Sequence, residues 1–403
     1  MTRTRATYLV YAVLGFYGWF IYGFGPVVPL LRDEQGTSRA VASLHGTALA
    51  VGALAAGALY PLLARRLGRA RTLWTTLGGL SVGIVVIALV PSVPVLTIAA
   101  TLCAGTAGAV LVNSIAPTLL SIHGSAFSGA ALTEGNAIAC GVGLVAPLAV
   151  GFSLDQGYGW RPALVVASVL AAGIAVLARV TATRLPSGTV LHPDVDQAAA
   201  EPDVDQDAMT TRRPMPRRFW VTWAIMLCCI AAEFATTLWA SDVLRHRTGS
   251  SAALATAAVT AVIGGMCAGR IVGAVSAARA PGSLLLLPAL AVALVGGGIF
   301  WVTTSPVVAI VGLAVLGLGL GPTYPLAVDL AMQASDGQPD RAAGYASYAA
   351  GLAIGSGPFA LGALADQVGP HGAFLVVPAL FLTALAGVLT IRRMKLTPTD
   401  QQR

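Results

Sequence analysis

Two stretches of the chain, APLAVGFSLDQGYGWRPALVV at 146–166 and GPFALGALADQVGPHGAFLVV at 357–377, repeat each other. They align without a gap at a constant offset of 211 residues. The alignment pairs Pro147 with Pro358, Gly151 with Gly362, Asp155–Gln156 with Asp366–Gln367, and Leu164–Val166 with Leu375–Val377. An internal repeat of this kind indicates that the chain consists of two halves with the same architecture.

Apolar runs long enough to cross a membrane surround both copies of the repeat. Of the 403 residues, 56% are hydrophobic and 10% are charged, whereas about 25% are charged in an ordinary soluble domain. A helix needs about 20 apolar residues to span a bilayer. Because only short turns separate some neighbours, the number of runs could also be counted as eleven or thirteen. The twelve runs are 8–30, 40–63, 72–92, 94–119, 127–152, 162–183, 219–243, 251–276, 282–303, 306–332, 342–365 and 371–391.

The runs and the repeat together predict the fold class. Each copy of the repeat begins in the fifth run of its half and ends in the sixth. A repeat that follows an even number of spans keeps its orientation, so the two halves are parallel. We therefore predict an all-α membrane protein whose twelve transmembrane helices form two parallel six-helix bundles, related by a pseudo-two-fold axis along the membrane normal. Such halves can rock against each other and expose a site between them to either side in turn.

One long polar stretch, 184–218, separates the two halves. It contains two copies of PDVDQ and six acidic residues, a composition typical of disordered segments. We predict an N-terminal six-helix bundle at 1–184, a disordered cytoplasmic linker at 185–217 and a C-terminal six-helix bundle at 218–403. A calcium site formed by the acids is the alternative, although the glycine turn and the bidentate glutamate of a calcium loop are missing.

The distribution of Lys and Arg predicts the orientation of the chain. When both termini are placed on one side, that side carries 18 of the 24 Lys and Arg residues and the opposite side carries five. Because positive charges favour the inner side, we expect a multi-pass protein of the cell membrane with both termini in the cytoplasm. The net charge of +7 then reflects topology and contact with anionic lipids rather than nucleic-acid binding.

The motifs of catalytic and nucleotide-driven proteins are missing from the sequence. It has no Walker motif and no arrangement of a nucleophile with a base, so we expect no enzyme, no ATP and no cofactor. All five cysteines lie in apolar runs without metal-ligand spacing, and we interpret them as small buried side chains rather than a metal site. The glycine runs AGTAG (104–108) and GLGLG (317–321) predict close helix contacts rather than phosphate loops.

The stretch PLLARRLGRAR at 61–71 lies between the second and third runs. It resembles the loop G-x-L-A-D-R-x-G-R-R of the major facilitator superfamily of secondary transporters. Arg66, Gly68 and Arg69 match that loop, whereas Arg65 stands where the family has its aspartate. A second stretch, GLGLGPTYPLAVDLA, is similar to the branch of fucose and cyanate permeases. The resemblance covers nearly the whole chain and implies a carrier with Arg66, Gly68 and Arg69 in its gating loop.

Four charged residues lie well within the apolar runs, away from their ends: Glu134, Glu233, Arg270 and Asp329. Facing lipid at a helix centre, each would cost about 2.5–3.5 kcal/mol, so we expect them to face the bundle interior. Glu233, near the middle of the seventh run, is the leading candidate for proton coupling, and Glu134 and Asp329 are further candidates. A carboxylate in a low-dielectric cavity can load and release a proton as access switches. The alternative for Glu233 is a structural hydrogen bond to a neighbouring threonine.

The other three intramembrane charges also leave alternatives open. Arg270 and Asp329 lie at similar depth in the eighth and tenth runs, which predicts an ion pair within the second half. Alternatively, Arg270 holds a substrate carboxylate through its fork of donors. Glu134 lies toward the cytoplasmic end of the fifth run, where it either bonds across to the other half in the outward-facing state or serves packing alone.

Further polar and aromatic residues are predicted to line a substrate cavity. On the first run, Tyr8, Tyr11, Gly15, Gly18 and Tyr22 recur at spacings of three and four residues and therefore share one face. This face suits a ring-bearing solute, and packing against a neighbouring helix is the alternative. The cavity candidates are Tyr11, Trp19, Tyr22, Asn113, Asn136, Thr237, Arg270 and Tyr324.

These observations predict secondary active transport of a small organic solute by alternating access, with proton-coupled symport. Proton-driven multidrug or metabolite efflux by antiport is the alternative. The fourth run, with TLCAGTAGAVLVN at 101–113, lacks the arginine that many proton-coupled drug exporters have there, which favours symport. The expected partners are the solute, protons and membrane lipids, and we expect a monomer.

Overall fold

The computed structural model describes residues 2–90, 92–124, 127–186, 214–277, 282–336 and 338–396. Within these ranges, twelve helices are long enough and apolar enough to cross a membrane, which confirms the predicted number of spans. They are α1 (Arg5–Gln35), α2 (Arg39–Leu67), α3 (Arg69–Leu89), α4 (Pro94–His123), α5 (Ser128–Asp155), α6 (Arg161–Val180), α7 (Arg217–Thr248), α8 (Ala252–Ala277), α9 (Gly282–Val302), α10 (Pro306–Gln333), α11 (Pro339–Ala373) and α12 (Val376–Leu396). Both copies of PDVDQ, with the predicted disorder and the alternative calcium site, lie outside the described residues.

The local sequence explains where the first two helices begin and end. The Thr4 hydroxyl accepts a hydrogen bond from the backbone N–H of Thr7 and so caps the start of α1. Gly36 ends α1 with a φ of 61°, a left-handed conformation that glycine adopts without strain. Two residues later, the Ser38 hydroxyl accepts from the N–H of Val41 and starts α2. A short turn therefore joins the two helices.

Glycines allow helices within each half to pack backbone against backbone. A Cβ placed on Gly317 of α10 would lie 2.1 Å from a carbonyl oxygen of α8, and one on Gly319 would lie 2.3 Å from a backbone nitrogen of α9. Gly105 of α4 approaches α2 in a similar way, with 3.0 Å between its Cβ position and the Cα of Leu49. Only a residue without a side chain fits such contacts. The predicted role of the two glycine runs is confirmed.

The two six-helix bundles meet chiefly through α1 with α7, α2 with α11, and α5 with α8. The paired glycines of the repeat have matching positions in these contacts. A Cβ on Gly151 of α5 would lie 2.7 Å from the Ala253 carbonyl oxygen of α8. A Cβ on Gly362 of α11 would lie 2.2 Å from the Ser43 hydroxyl oxygen of α2. At both positions, the small residue lets the opposite half approach closely, so the repeat preserves the interface as well as the helices.

The helices run between two ends of the protein. We call the end with the start of α1 and the end of α12 the terminal face, and the opposite end the far face. The short turns from α1 to α2, α5 to α6, α7 to α8 and α9 to α10 lie at the far face.

Candidate transport site

A cluster of four side chains lies between the two halves. Glu233 of α7 and Arg270 of α8 form an ion pair, with 3.5 Å between Oε1 and Nη2. The Arg270 Nη1 donates to the Cys140 Sγ of α5 at 3.6 Å, and Arg270 also interacts with the Tyr22 side chain of α1. The first half supplies Tyr22 and Cys140, and the second half supplies the ion pair. We call Tyr22, Cys140, Glu233 and Arg270 the central cluster.

Helix packing fixes the central cluster in place. The Tyr22 ring lies on Gly143 of α5, where a Cβ would come within 2.2 Å of the Tyr22 Cδ2. The side chain of Glu233 is 15% exposed and that of Arg270 is 37% exposed, so the acid is well enclosed while the base still reaches open space. A charge pair in this setting is stable only while both partners are present.

The two threonines next to Glu233 do not hold its carboxylate. The Thr237 hydroxyl donates to the backbone carbonyl oxygen of Glu233 at 3.0 Å, and the Thr236 hydroxyl donates to that of Ala232 at 2.7 Å. Both hydrogen bonds stay within α7. The carboxylate pairs with Arg270 instead, so the alternative of a structural hydrogen bond to threonine is wrong.

The predicted ion pair between Arg270 and Asp329 is also wrong. Asp329 is exposed on α10 and accepts a hydrogen bond from Gln333 at 2.8 Å. Arg270 is level with Gly321 of α10, where a Cβ would lie 3.0 Å from the Arg270 backbone nitrogen. Asp329 is two helical turns beyond Gly321, a distance of about 12 Å along the axis. The prediction failed because counting residues from helix ends misjudged the relative depth of the two helices.

Glu134 lies within the first half and is half-buried. It accepts two hydrogen bonds from the Arg3 guanidinium, at 2.8 and 3.0 Å, and one from the Tyr11 hydroxyl at 2.9 Å. The carboxylate therefore ties the start of the chain to α5 at the terminal face. Its predicted bond to the other half in the outward-facing state stays a prediction.

We expect Glu134→Gln to leave transport unchanged within about twofold, because an exposed ion pair contributes little. The initial rate of solute uptake in proteoliposomes measures this. A loss of uptake as large as that caused by replacing Glu233 would show that Glu134 belongs to the coupling machinery.

The remaining cavity candidates do not all join the central cluster. The Trp19 indole N–H donates to the carbonyl oxygen of Ala163 in α6 at 2.9 Å, which keeps it inside the first half. Asn113 and Asn136 are exposed on α4 and α5. Tyr324 of α10 is 44% exposed and interacts electrostatically with Glu233. Tyr22, Arg270 and Tyr324 are thus the cavity candidates whose side chains interact with the Glu233 carboxylate.

The predicted gating loop forms a tight corner between α2 and α3. Gly68 has φ 81° and ψ 155°, a conformation that favours glycine. The Arg69 Nη1 donates to the Ser121 hydroxyl at the end of α4 at 2.9 Å, while Arg66 is exposed. The loop is therefore tied to its own half.

An ion-pair network closes the far face, and the sequence did not reveal it. Asp242 of α7 accepts from Arg32 Nη1 and from Arg39 Nε, both at 2.8 Å, and its side chain is 5% exposed. Arg245 pairs with Asp33 at 2.8 Å. We call Arg32, Asp33, Arg39, Asp242 and Arg245 the far-face latch. It joins α1 and α2 of the first half to α7 of the second half.

A helix cap reinforces the far-face latch. The Asp366 carboxylate of α11 accepts hydrogen bonds from the backbone N–H groups of Arg39 and Ala40, at 2.8 and 2.9 Å. These are N–H groups at the start of α2, which lack partners within the helix and lie at the positive end of its dipole. Asp366 is one of the repeated positions, so the repeat was the one sequence signal that pointed to this contact.

An apolar cleft of about 640 Å³ runs along the contact between α2 and α11. The two helices touch there, because the Thr47 hydroxyl donates to the Gly355 carbonyl oxygen at 2.8 Å. Nearer the terminal face, Tyr8 and Tyr348 are 58% and 65% exposed. The halves are thus tied together at the far face and stay in contact along this cleft. The cleft is mostly apolar and is lined by Leu44, Thr47, Ala50, Val51, Leu54, Trp223, Tyr348, Gly351, Leu352, Gly355, Ser356 and Phe359.

Three of the cysteines interpreted as buried are not buried. Cys228 and Cys229 are buried, Cys140 and Cys267 are half-buried, and Cys103 is exposed. The interpretation failed for these three because a helix of a membrane bundle has open and lipid-facing sides as well as a packed one.

Two matching six-helix halves, tied together at the far face and holding an ion pair between them, define a membrane transporter. Residues 9–347 match the sequence model of the Major Facilitator Superfamily, and the chain belongs to this superfamily. The proteins of this superfamily are transporters rather than enzymes, and so are the proteins of similar fold whose structures are solved. No curated protein sequence matches the chain significantly.

Solved structures of several transporters are similar to the whole chain. A bacterial homolog of the human lysosomal transporter Spinster, inward-facing and unoccupied, has a TM-score of 0.75 at 12% identity, covering 99% of this chain and 100% of its own. A variant of the nucleoside transporter NupG has a TM-score of 0.74 at 12% identity, with 96% and 98% covered. A structure from work on substrate recognition in proton-dependent oligopeptide transporters has a TM-score of 0.69 at 15% identity, with 98% of both chains covered. At such identities, the likeness shows the fold.

Proposed function

We propose that the protein is a secondary active transporter that moves a small organic solute by alternating access and couples this movement to protons in symport. The observation that carries the proposal is the Glu233–Arg270 ion pair, enclosed between the halves and in contact with both. An ionisable pair in such a place is costly, and its position on the path between the two faces favours a role in transport over a role in folding.

The orientation of the chain assigns each of the two faces to one side of the membrane. We place the terminal face in the cytoplasm because that side carries 18 of the 24 Lys and Arg residues. The far-face latch then closes the outer side of the cell membrane, which corresponds to an inward-facing state. The Spinster homolog, whose structure is inward-facing, supports this assignment of state.

Protonation of Glu233 provides the coupling step. While Glu233 is charged, it neutralises Arg270. A proton on the carboxylate removes that charge and releases the guanidinium, which can then bind a carboxylate or hydroxyl group of the solute through its fork of donors. Tyr22 and Tyr324 offer ring faces and hydroxyl groups beside it. The likeness to a structure from work on proton-dependent oligopeptide transporters supports proton coupling.

The remaining features of the proposal follow from the same architecture. The chain folds as one bundle at 1–184 and one at 218–403, with 185–217 between them, and works as a monomer because the two halves together enclose the path. Membrane lipids surround it, and the proton gradient rather than ATP drives it.

Uptake into proteoliposomes tests the proposal. The panel contains a nucleoside, a dipeptide, a hexose and a cationic amphiphile, each measured with and without a gradient of one pH unit, acid outside. For one proton per solute, we expect one class to accumulate about tenfold, and only with the gradient. Equal uptake with and without the gradient would contradict proton coupling. Expulsion of the solute against the inward proton gradient would favour the efflux antiporter instead.

A further inference from the structure

Two cysteines from opposite halves lie side by side where α5 meets α8. The side chains of Cys140 of α5 and Cys267 of α8 interact with each other. Arg270, one helical turn after Cys267 on the same face of α8, contacts the Cys140 Sγ at 3.6 Å. Both are half-buried, so small reagents can reach them. Neither thiol takes up or releases a proton in the proposed transport cycle.

The backbone around the two cysteines keeps them close. Toward the far face, the Thr260 hydroxyl of α8 donates to the Leu144 carbonyl oxygen of α5 at 3.2 Å. Further along, Gly151 of α5 lets α8 approach closely. Two thiols whose side chains already interact can approach further to the S–S bond length of about 2.05 Å. The α5–α8 contact therefore positions the sulfurs for a bond between the halves.

Arg270 makes one of the two sulfurs the better nucleophile. Its Nη1 lies 3.6 Å from the Cys140 Sγ. The thiolate is the form of cysteine that attacks an oxidant, and it requires a neighbouring positive charge when water is scarce. Cys140 is thus placed to react first, and Cys267 is placed to resolve the product.

We propose that Cys140 and Cys267 form an oxidative modification site, at which a peroxide converts the two thiols into a disulfide that ties the two halves of the protein together. The Cys140 thiolate attacks one oxygen of hydrogen peroxide and breaks the O–O bond, giving a sulfenic acid and hydroxide. The Cys267 sulfur then attacks the sulfenic sulfur, the S–S bond forms and water leaves. The hydroxide takes up the proton that Cys140 lost. In total, two thiols give up two electrons and one peroxide becomes two waters.

The distribution of the cysteines allows a direct test. The first half contains Cys103 and Cys140, and the second half contains Cys228, Cys229 and Cys267. A protease site inserted within 187–213 lets the full-length, lipid-embedded protein be cut into its halves after treatment. The protein is exposed to hydrogen peroxide, free thiols are blocked with N-ethylmaleimide, the chain is cut, and the products are separated without reductant.

We expect most of the oxidised wild-type protein to run at full-length mass and to fall into two halves on reduction. Cys103→Ser should behave like the wild type, whereas Cys140→Ser and Cys267→Ser should each lose the link completely. Separate halves in the oxidised wild type would overturn the proposal, as would a link that survives Cys140→Ser. If a serine variant fails to fold, peptide mass spectrometry of the oxidised wild type decides: a Cys140–Cys267 disulfide supports the site, and sulfinic acid or another pairing overturns it.

Discussion

Glu233→Gln is expected to abolish solute accumulation while leaving downhill movement of the solute in place. The amide has nearly the shape of the carboxylate and still accepts a hydrogen bond from Arg270, but it cannot take up or release a proton in this pH range. A gradient of one pH unit, which should support about tenfold accumulation through one coupled proton, should then support a ratio of about one. The measurement is the ratio of internal to external solute at steady state, together with the initial rate of downhill uptake.

Loss of the negative charge also leaves Arg270 without its partner, and this must be separated from loss of coupling. Removing one member of a buried pair costs up to about 3–5 kcal/mol, and less here because Arg270 is 37% exposed. The double variant Glu233→Gln with Arg270→Gln removes both charges and restores neutrality. It should unfold at a higher temperature than the single variant and still fail to accumulate solute. Accumulation by Glu233→Gln at the wild-type ratio would show that another group carries the proton.

The sequence predicted the frame of the protein because the frame depends on patterns along the chain. Apolar runs of about 20 residues fix the number of helices, and the offset of 211 residues predicts that the two halves are alike. Gly151 and Gly362 show that the repeat also includes the contacts between the halves, since both lie where the opposite half packs closely. The high cost of a charge that faces lipid predicted that Glu233 faces the bundle interior.

The site's partners could not be predicted, because they depend on how far each helix is shifted along its neighbours. Arg270 pairs with Glu233 rather than Asp329 because Asp329 lies two helical turns away from the level of Arg270 along α10. The far-face latch was missed for a different reason. Its charges lie at helix ends, where they resemble ordinary loop charges, and Asp242 becomes enclosed only when the second half packs onto Arg32 and Arg39.

The repeat is also not symmetric in every detail. Asp366 caps the start of α2, whereas Asp155, at the equivalent position of α5, is exposed. Closure of the far face therefore depends more on the contact between α2 and α11 than on that between α5 and α8. Substitutions near α2 should affect closure most.

We expect Asp242→Asn to open the far face. The acid is the shared acceptor of Arg32 and Arg39, whose side chains are 11% and 24% exposed, so its neutralisation leaves two poorly solvated cations facing each other. Allowing for their partial exposure and for Asp33, which still pairs with Arg32, we estimate a cost of about 2–3 kcal/mol to the closed arrangement. A change of that size shifts the balance between the two arrangements by about 30- to 150-fold.

Hydrogen–deuterium exchange at both faces separates a shift of the whole protein from local fraying. In Asp242→Asn, exchange should rise at the start of α2, where Asp366 caps the N–H groups of Arg39 and Ala40. If the halves rock as rigid bodies, exchange should fall at the same time at the terminal face, at 61–69 where α2 meets α3, because opening the outer side closes the inner side. Asp33→Asn is the matched control, since Asp33 is 40% exposed and its loss leaves Asp242 in place. A rise at the far face without protection at the terminal face would mean that the latch only holds helix ends together. Coupled changes would show that it sets the state of the transporter.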